Sequence, residues 1–220
     1  MPASQIHLVR HGEVFNPSGV LYGRIPGYGL SDLGHRMAEA AALDLKARQR
    51  PVTRLMASPL QRAQESAAPI AEAFALPILT EDRLIEPTNR FEGTVTRLAV
   101  RKPVNWPYLI NPRRPSWGEP YVSIVARMLA AIEDAYRSVD DGDVVLVSHQ
   151  LPIWMVHSQV TGKSLPHNPN RRRCSLSSIT TLAPVAGGTG DEGRPVRFEE
   201  VGYSDPAAGL LDEATDVGAV

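Results

Sequence analysis

The sequence predicts an α/β fold: a three-layer sandwich with a mostly parallel central sheet flanked by helices, carrying a loop-rich insertion. Two observations predict it. Apolar runs of strand length at residues 6–9, 52–57 and 144–147 alternate with amphipathic helical stretches, as crossover-connected parallel strands require. These runs also end in polar side chains, with Arg10-His11 after the first, Ser58 after the second and His149 just past the third. In open sheets of this kind ligands bind beyond the carboxyl ends of the strands.

Residues 6–9 read as a buried strand and residues 12–30 as a Gly/Pro-rich loop. Ser31 is placed to cap a helix on which Leu33, Met37, Ala40, Ala41 and Leu45 recur at helical spacing. The strand at 52–57 leads into a helix ending near Phe74, with Pro59 expected at its first position and Pro69 predicting a kink or break. Residues 77–79 can form a short third strand. A helix over 121–138 presents Val125, Met128, Leu129 and Ile132 on one face. After a turn at 140–143 comes the most buried-looking strand, 144–147, then a helix to about Val160. Residues 177–182 and 196–201 read as later strands. The segment 94–119 is rich in Arg, Pro and Trp, 185–195 is Gly-rich, and the small, acidic tail after Asp205 is expected to be poorly ordered.

A length of 220 residues suits one large domain or a domain with an insertion, and buries a core without staples. Lys+Arg number 23 against 24 Asp+Glu, so bulk charge gives no reason to expect nucleic acid or an anionic membrane as partner. A single cysteine, Cys174, excludes an internal disulfide framework and a cysteine-rich zinc site. No basic-then-apolar leader is evident and the apolar runs are too short to span a bilayer, so a cytoplasmic protein is expected.

Phosphate-monoester chemistry needs a nucleophile, cationic donors around the phosphoryl oxygens and an acid for the leaving group. Arg10-His11-Gly12-Glu13 sets an imidazole beside a guanidinium, followed by a glycine that lets backbone N–H groups approach an anion. Arg62 falls in the first turn of a helix, where the macrodipole disfavours a cation unless an anion binds there. Pointing into solvent is the alternative. A lone histidine such as His149 is more often a hydrogen-bonded core residue; two histidines and two arginines at strand ends argue for a site.

In order, Leu8-Val9-Arg10-His11-Gly12-Glu13, Ser58-Pro59-Leu60-Gln61-Arg62-Ala63-Gln64-Glu65-Ser66-Ala67, Leu84-Ile85-Glu86 with Phe91-Glu92-Gly93, and Val147-Ser148-His149 resemble the motifs of the histidine phosphatase superfamily, also called the phosphoglycerate mutase-like family. The resemblance runs from about Ile6 to Leu182 and misses only the insertion. It implies one domain over residues 1–204, with the insertion at about 94–119 and a flexible acidic tail at 205–220. It implies that His11 attacks phosphorus as a neutral imidazole, while Arg10, Arg62, His149 and Asn16 bind the phosphoryl oxygens. Glu86 is then the acid that protonates the leaving oxygen and afterwards activates water, which calls for a raised pKa; His149 joins His11 and Glu86 as a catalytic group. No cofactor or metal is implied. The partner expected is a small phosphorylated substrate, not nucleic acid or membrane; oligomeric state stays open.

Some residues depart from the pattern. Val14 stands where a small hydroxyl residue is usual, which weakens a mutase reading, and Gln150 replaces a glycine. Arg97, Arg101, Lys102, Arg113 and Arg114, among Trp106, Tyr108 and Trp117, form either a lid or a solvated loop. Arg171-Arg172-Arg173 reads more readily as a charged loop than as a phosphate site. Glu92 competes with Glu86 for the acid role, though the family spacing favours Glu86. Glu13, His7 and His35 read as structural, and His157 and His167 do not pair as metal ligands. Three functions follow: a phosphatase, a cofactor-dependent phosphoglycerate mutase, or a non-catalytic phosphate-binding relative.

Overall fold

The computed structural model describes residues 2–99, 101–109, 118–185 and 195–215. In chain order its elements are β1 (Gln5–Arg10), α1 (Asp32–Ala47), β2 (Val52–Ala57), α2 (Gln61–Phe74), β3 (Ile78–Thr80), the short α3 (Thr96–Ala99) and α4 (Trp106–Leu109), α5 (Tyr121–Arg137), β4 (Asp143–Ser148), α6 (Gln150–Val160), β5 (Ile179–Pro184) and β6 (Phe198–Ser204). The strands form one sheet in the order β3-β2-β4-β1-β5-β6. β3, β2, β4 and β1 are mutually parallel, and β5 runs antiparallel to both β1 and β6. The predicted α/β sandwich with a mostly parallel sheet is therefore the observed fold.

Side-chain alternation along the central strands explains the layers. Ile6 and Leu8 of β1 and Val144 and Leu146 of β4 pack with Ile124, Met128 and Ile132 of α5 and with α6. Their neighbours Val9, Val145 and Val147 face the opposite side, with Ala41 and Leu45 of α1 and Ala63, Ala67 and Ile70 of α2. All six residues of β4 are buried because it lies inside the sheet and under helices on both faces. Register then sets the strand ends level. Arg10 pairs with Ser148 and Ala57 with Val147, so Arg10-His11, Ser58 and His149 emerge together at one edge.

Several local expectations change. Ser31 does cap α1, its hydroxyl accepting from the Gly34 N–H at 3.0 Å. α2, however, begins at Gln61 with Leu60 as its N-cap, so Pro59 precedes the helix instead of opening it. The helix also continues through Pro69 without a break. The tail is packed over 205–215: a 3-10 turn at Ala208–Glu213 follows Ala207, which is buried with Met37 and Leu176, and Leu210 and Leu211 pack against that cluster. Burying that apolar surface offsets the ordering cost that composition alone suggested the tail could not meet. The Thr215 N–H donates to Glu13 Oε1 at 2.6 Å, and the Ser31 hydroxyl donates to Glu13 Oε2 at 2.5 Å, so Glu13 has the structural role expected of it. Residues 216–220 lie outside the described residues.

Candidate active site

Where the strand ends converge, a cavity of about 100 Å³ is lined by Arg10, His11, Arg62 and Glu86, with Tyr22, Glu119, Tyr121, Gln150 and Arg172 among its other walls. His11 leaves the end of β1, and its backbone N–H is held by the Ser148 carbonyl at 3.1 Å. The next residue must be glycine, since a Cβ on Gly12 would stand 2.3 Å from the Gly34 backbone oxygen. The His11 Nδ1–H donates to the Gly12 carbonyl at 2.8 Å. A carbonyl can only accept, so that bond fixes the tautomer and leaves Nε2 carrying the lone pair. Burial, then the nearby Arg62 and Arg10 charges, push the imidazole pKa well below its usual value and keep the ring neutral.

His149 closes one side of His11, with ring centroids 5.1 Å apart in an edge-on arrangement. Its Nε2 lies 2.7 Å from the Ser58 hydroxyl, which itself accepts from the Leu60 N–H at 3.4 Å. The hydroxyl and His149 Nε2 share one hydrogen bond, and the other ring nitrogen, Nδ1, stands 3.7 Å from the Glu86 carboxyl. Burial, with Arg62 and His11 next in effect, lowers the His149 pKa strongly as well. The imidazole is therefore neutral, and His149 is fully buried behind His11 and is not itself among the cavity-lining residues.

Arg62 is almost completely buried, its Nη2–H donating to the Gly23 carbonyl at 2.8 Å and its guanidinium lying 4.8 Å from the Tyr22 ring centre. It turns inward to the cavity and not into solvent. Arg10, equally buried, donates from Nη1 to the Cys174 carbonyl at 2.5 Å. Two guanidiniums taken out of water and set beside each other are costly. An anion bound in the cavity would offset that cost.

Glu86 sits on the loop that follows β3. The Ser148 hydroxyl donates to the Leu84 carbonyl at 2.7 Å and Arg24 Nε–H donates to the Glu86 carbonyl at 2.6 Å, pinning that loop to the end of β4. Burial raises the Glu86 pKa, against the opposing pull of Arg62, Arg172 and Arg10. A carboxyl that keeps its proton to higher pH, next to arginines and a neutral imidazole, can act as an acid. Glu92, its sequence competitor, instead accepts from the Asn89 N–H at 3.2 Å and is not among the cavity-lining residues.

Asn16 is not brought to the cavity: its side-chain amide bonds Val20 in both directions, at 2.9 and 3.3 Å, and closes that turn. Val14 is buried, bridged to Leu30, and does not line the cavity either. The reading of Arg171-Arg172-Arg173 as a purely charged loop is corrected at its middle member, since Arg172 lines the cavity. From the insertion, Gly118 and Glu119 reach the cavity, through a bridge between Gly118 and Asn89. Arg101 and Lys102 are exposed, Trp106 is 57% exposed, and Arg113, Arg114 and Trp117 lie outside the described residues. His7 bonds Asp143 and Thr181, and His157 pairs with Glu200, away from these groups. Among the described residues no cluster of three or more His, Cys, Asp or Glu could hold a metal ion, and no helix is long and apolar enough to cross a membrane.

Comparison with known proteins places the chain among relatives of one family. An uncharacterized protein of Mycobacterium tuberculosis is 48% identical over 208 residues, spanning 93% of this chain and 98% of its own length. The probable phosphoglycerate mutase of Yersinia enterocolitica is 30% identical over 184 residues, 80% of this chain and 84% of that one. Among solved structures, the native mycobacterial glucosyl-3-phosphoglycerate phosphatase superposes with a TM-score of 0.66 at 22% identity, covering 90% and 96% of the two chains. Phosphoserine phosphatase from Entamoeba histolytica, in complex with 3-phosphoglyceric acid, superposes at 0.70 and 19% identity over 91% and 96%. At such identities the likeness is one of fold. The family model of the histidine phosphatase superfamily, branch 1, matches residues 6–190, and the chain belongs to that superfamily.

Proposed function

We propose that this protein is a metal-independent phosphomonoesterase that works through a phosphohistidine on His11, with Glu86 as general acid and base. The observation that carries the reading is the His11 Nδ1–H bond to its neighbour's carbonyl, which turns a neutral Nε2 lone pair into the nucleophile inside an arginine-lined cavity. Nε2 attacks phosphorus in line, the ester P–O bond breaks, and the Glu86 proton goes to the leaving oxygen. Arg10, Arg62 and His149 stabilise charge on the phosphoryl oxygens. The ionised Glu86 then takes a proton from water as its oxygen attacks phosphorus. The P–N bond breaks, phosphate leaves, and both side chains regain their starting state.

Charge stabilisation here comes from side chains, so turnover is expected to persist in EDTA. The substrate is a small phosphorylated molecule, handled in the cytoplasm without nucleic acid or membrane. Phosphate release from a mixed panel of phosphomonoesters in EDTA, by wild type and His11→Ala, tests the reading. Release that needs His11 supports it, and release by neither folded protein sinks it. The likeness to a phosphoglycerate mutase keeps net isomerisation with a bisphosphate primer as the second reading, weakened by Val14 at the usual hydroxyl position.

A further inference from the structure

Arg172 is the cation in the cavity wall that the phosphohistidine chemistry does not use. Its Nε–H donates to His167 Nε2 at 2.8 Å, and its Nη1–H donates to Gln150 Oε1 at 3.1 Å. Both partners are neutral. His167 donates its own Nδ1–H to the Leu165 carbonyl at 2.6 Å, so Nε2 holds the lone pair that Arg172 needs. No carboxylate of the described residues lies within 4 Å of the Arg172 guanidinium. Glu119, on the same wall, is already matched by Arg127 at 2.9 and 3.0 Å, and burial favours the neutral form of Glu86. With Nε and Nη1 committed, Nη2 keeps its donors. Tyr121, the first residue of α5, also lines the cavity, its ring 5.6 Å from that of His167, and its hydroxyl has no hydrogen bond among the described residues.

This group is wired to the phosphate site. Gln150 Nε2 donates to the Cys174 carbonyl at 3.4 Å, the same oxygen that accepts from Arg10 Nη1 at 2.5 Å. The separation between Arg10 and Arg172 is thus fixed through one backbone oxygen and one glutamine, the residue that stands in place of the usual glycine. We propose that Arg172 and Tyr121 form a subsite for a carboxylate carried by the same molecule as the scissile phosphate, with Gln150 and His167 as positioning residues. A guanidinium edge and a hydroxyl are two donors for two carboxylate oxygens. A second phosphate fits this wall less well, because its extra charge would face Glu119 with only one free arginine nitrogen to offset it.

The proposal rests on the phosphomonoesterase reading, and its test separates the two. Glycerol 3-phosphate and 3-phosphoglycerate differ only in a hydroxymethyl against a carboxylate. Wild type is expected to favour the carboxylate substrate by about 10–100-fold in kcat/KM, the range for a charge-assisted hydrogen bond. In Arg172→Ala that ratio falls to about one, and Arg172→Lys restores part of it. Gln150→Gly and His167→Leu lower the ratio through KM, not kcat, as loss of positioning requires. Binding of both compounds to His11→Ala, measured by calorimetry, is expected to show the same preference, and His11→Ala/Arg172→Ala to lose it. A wild-type ratio near one, equal affinities in the binding arm, or an Arg172→Ala loss shared equally by both substrates overturns the subsite. If neither compound is hydrolysed, the binding arm alone decides on Arg172, while the wider panel of phosphomonoesters decides on the phosphatase reading.

Discussion

Replacing Glu86 by Gln keeps the shape of the loop and removes the one group assigned both to protonate the leaving oxygen and to activate water. General acid–base catalysis contributes about 10²–10⁴-fold, or about 3–5 kcal/mol of barrier at 1.36 kcal/mol per decade. An alkyl phosphate, whose leaving oxygen needs the proton, should therefore lose that factor in kcat/KM. A 4-nitrophenyl ester leaves without help, so its first step should slow much less. Its second step still lacks a base, and the expected signature is a burst of nitrophenol followed by slow turnover. The pH profile adds a sign. His11 must be neutral and its pKa is lowered by burial, so activity falls as pH drops through that depressed value. Glu86 must be protonated and its pKa is raised by burial, so activity falls as pH climbs through that elevated value. Glu86→Gln should erase the alkaline limb and leave the acid limb in place. Equal losses on both esters with no burst, or an alkaline limb unchanged in the variant, would refute the assignment.

Arg62 is buried with its Nε lacking a hydrogen-bond partner, so Arg62→Met should lower kcat/KM by about 10²–10³ while stability to urea holds or rises by about 1–4 kcal/mol. A large fall in stability would mean that the arginine is structural. Gly12→Ala places a Cβ against the Gly34 backbone and should cost about 2 kcal/mol or more, read as a lower urea midpoint at unchanged slope. Asp143 is held down to about 2 from 3.8: bonds from Arg50 and His7 outweigh burial, the largest single influence, which pushes the other way. Its stabilisation is therefore complete above about pH 4 and lost as pH falls through about 2. Asp143→Asn should be less stable at neutral pH and show a shallower fall between those limits, whereas an unchanged acid-unfolding slope would contradict the network.

Much of the fold was legible because central parallel strands are covered on both faces, and that demand writes itself into local runs such as 144–147. The site was legible for a related reason. Arg10, His11, Ser58 and His149 sit next to those runs, and Glu86 follows buried Leu84 by two residues. What the sequence hid depends on long-range return of the chain. Arg172 looks like its solvated neighbours Arg171 and Arg173 in any local window. It reaches the cavity because β5 pairs with β1 and draws the preceding loop to the strand ends. The placement of Gln150 at the start of α6, level with that loop, was the available clue. Asn16 and residues 205–215 depart from expectation in opposite ways. The Asn16 amide found a nearer partner in Val20, and the acidic composition of the tail masked Ala207, Leu210 and Leu211, which find a place against α1.

The central claim is a covalent phosphate on one imidazole nitrogen, so trapping it is the most direct test. Glu86→Gln mixed with a labelled phosphomonoester in EDTA and quenched in alkali should carry acid-labile, alkali-stable phosphate on the peptide containing His11, and the Glu86→Gln/His11→Ala protein should carry none. Label found on another residue, or full turnover by His11→Ala, would contradict the account.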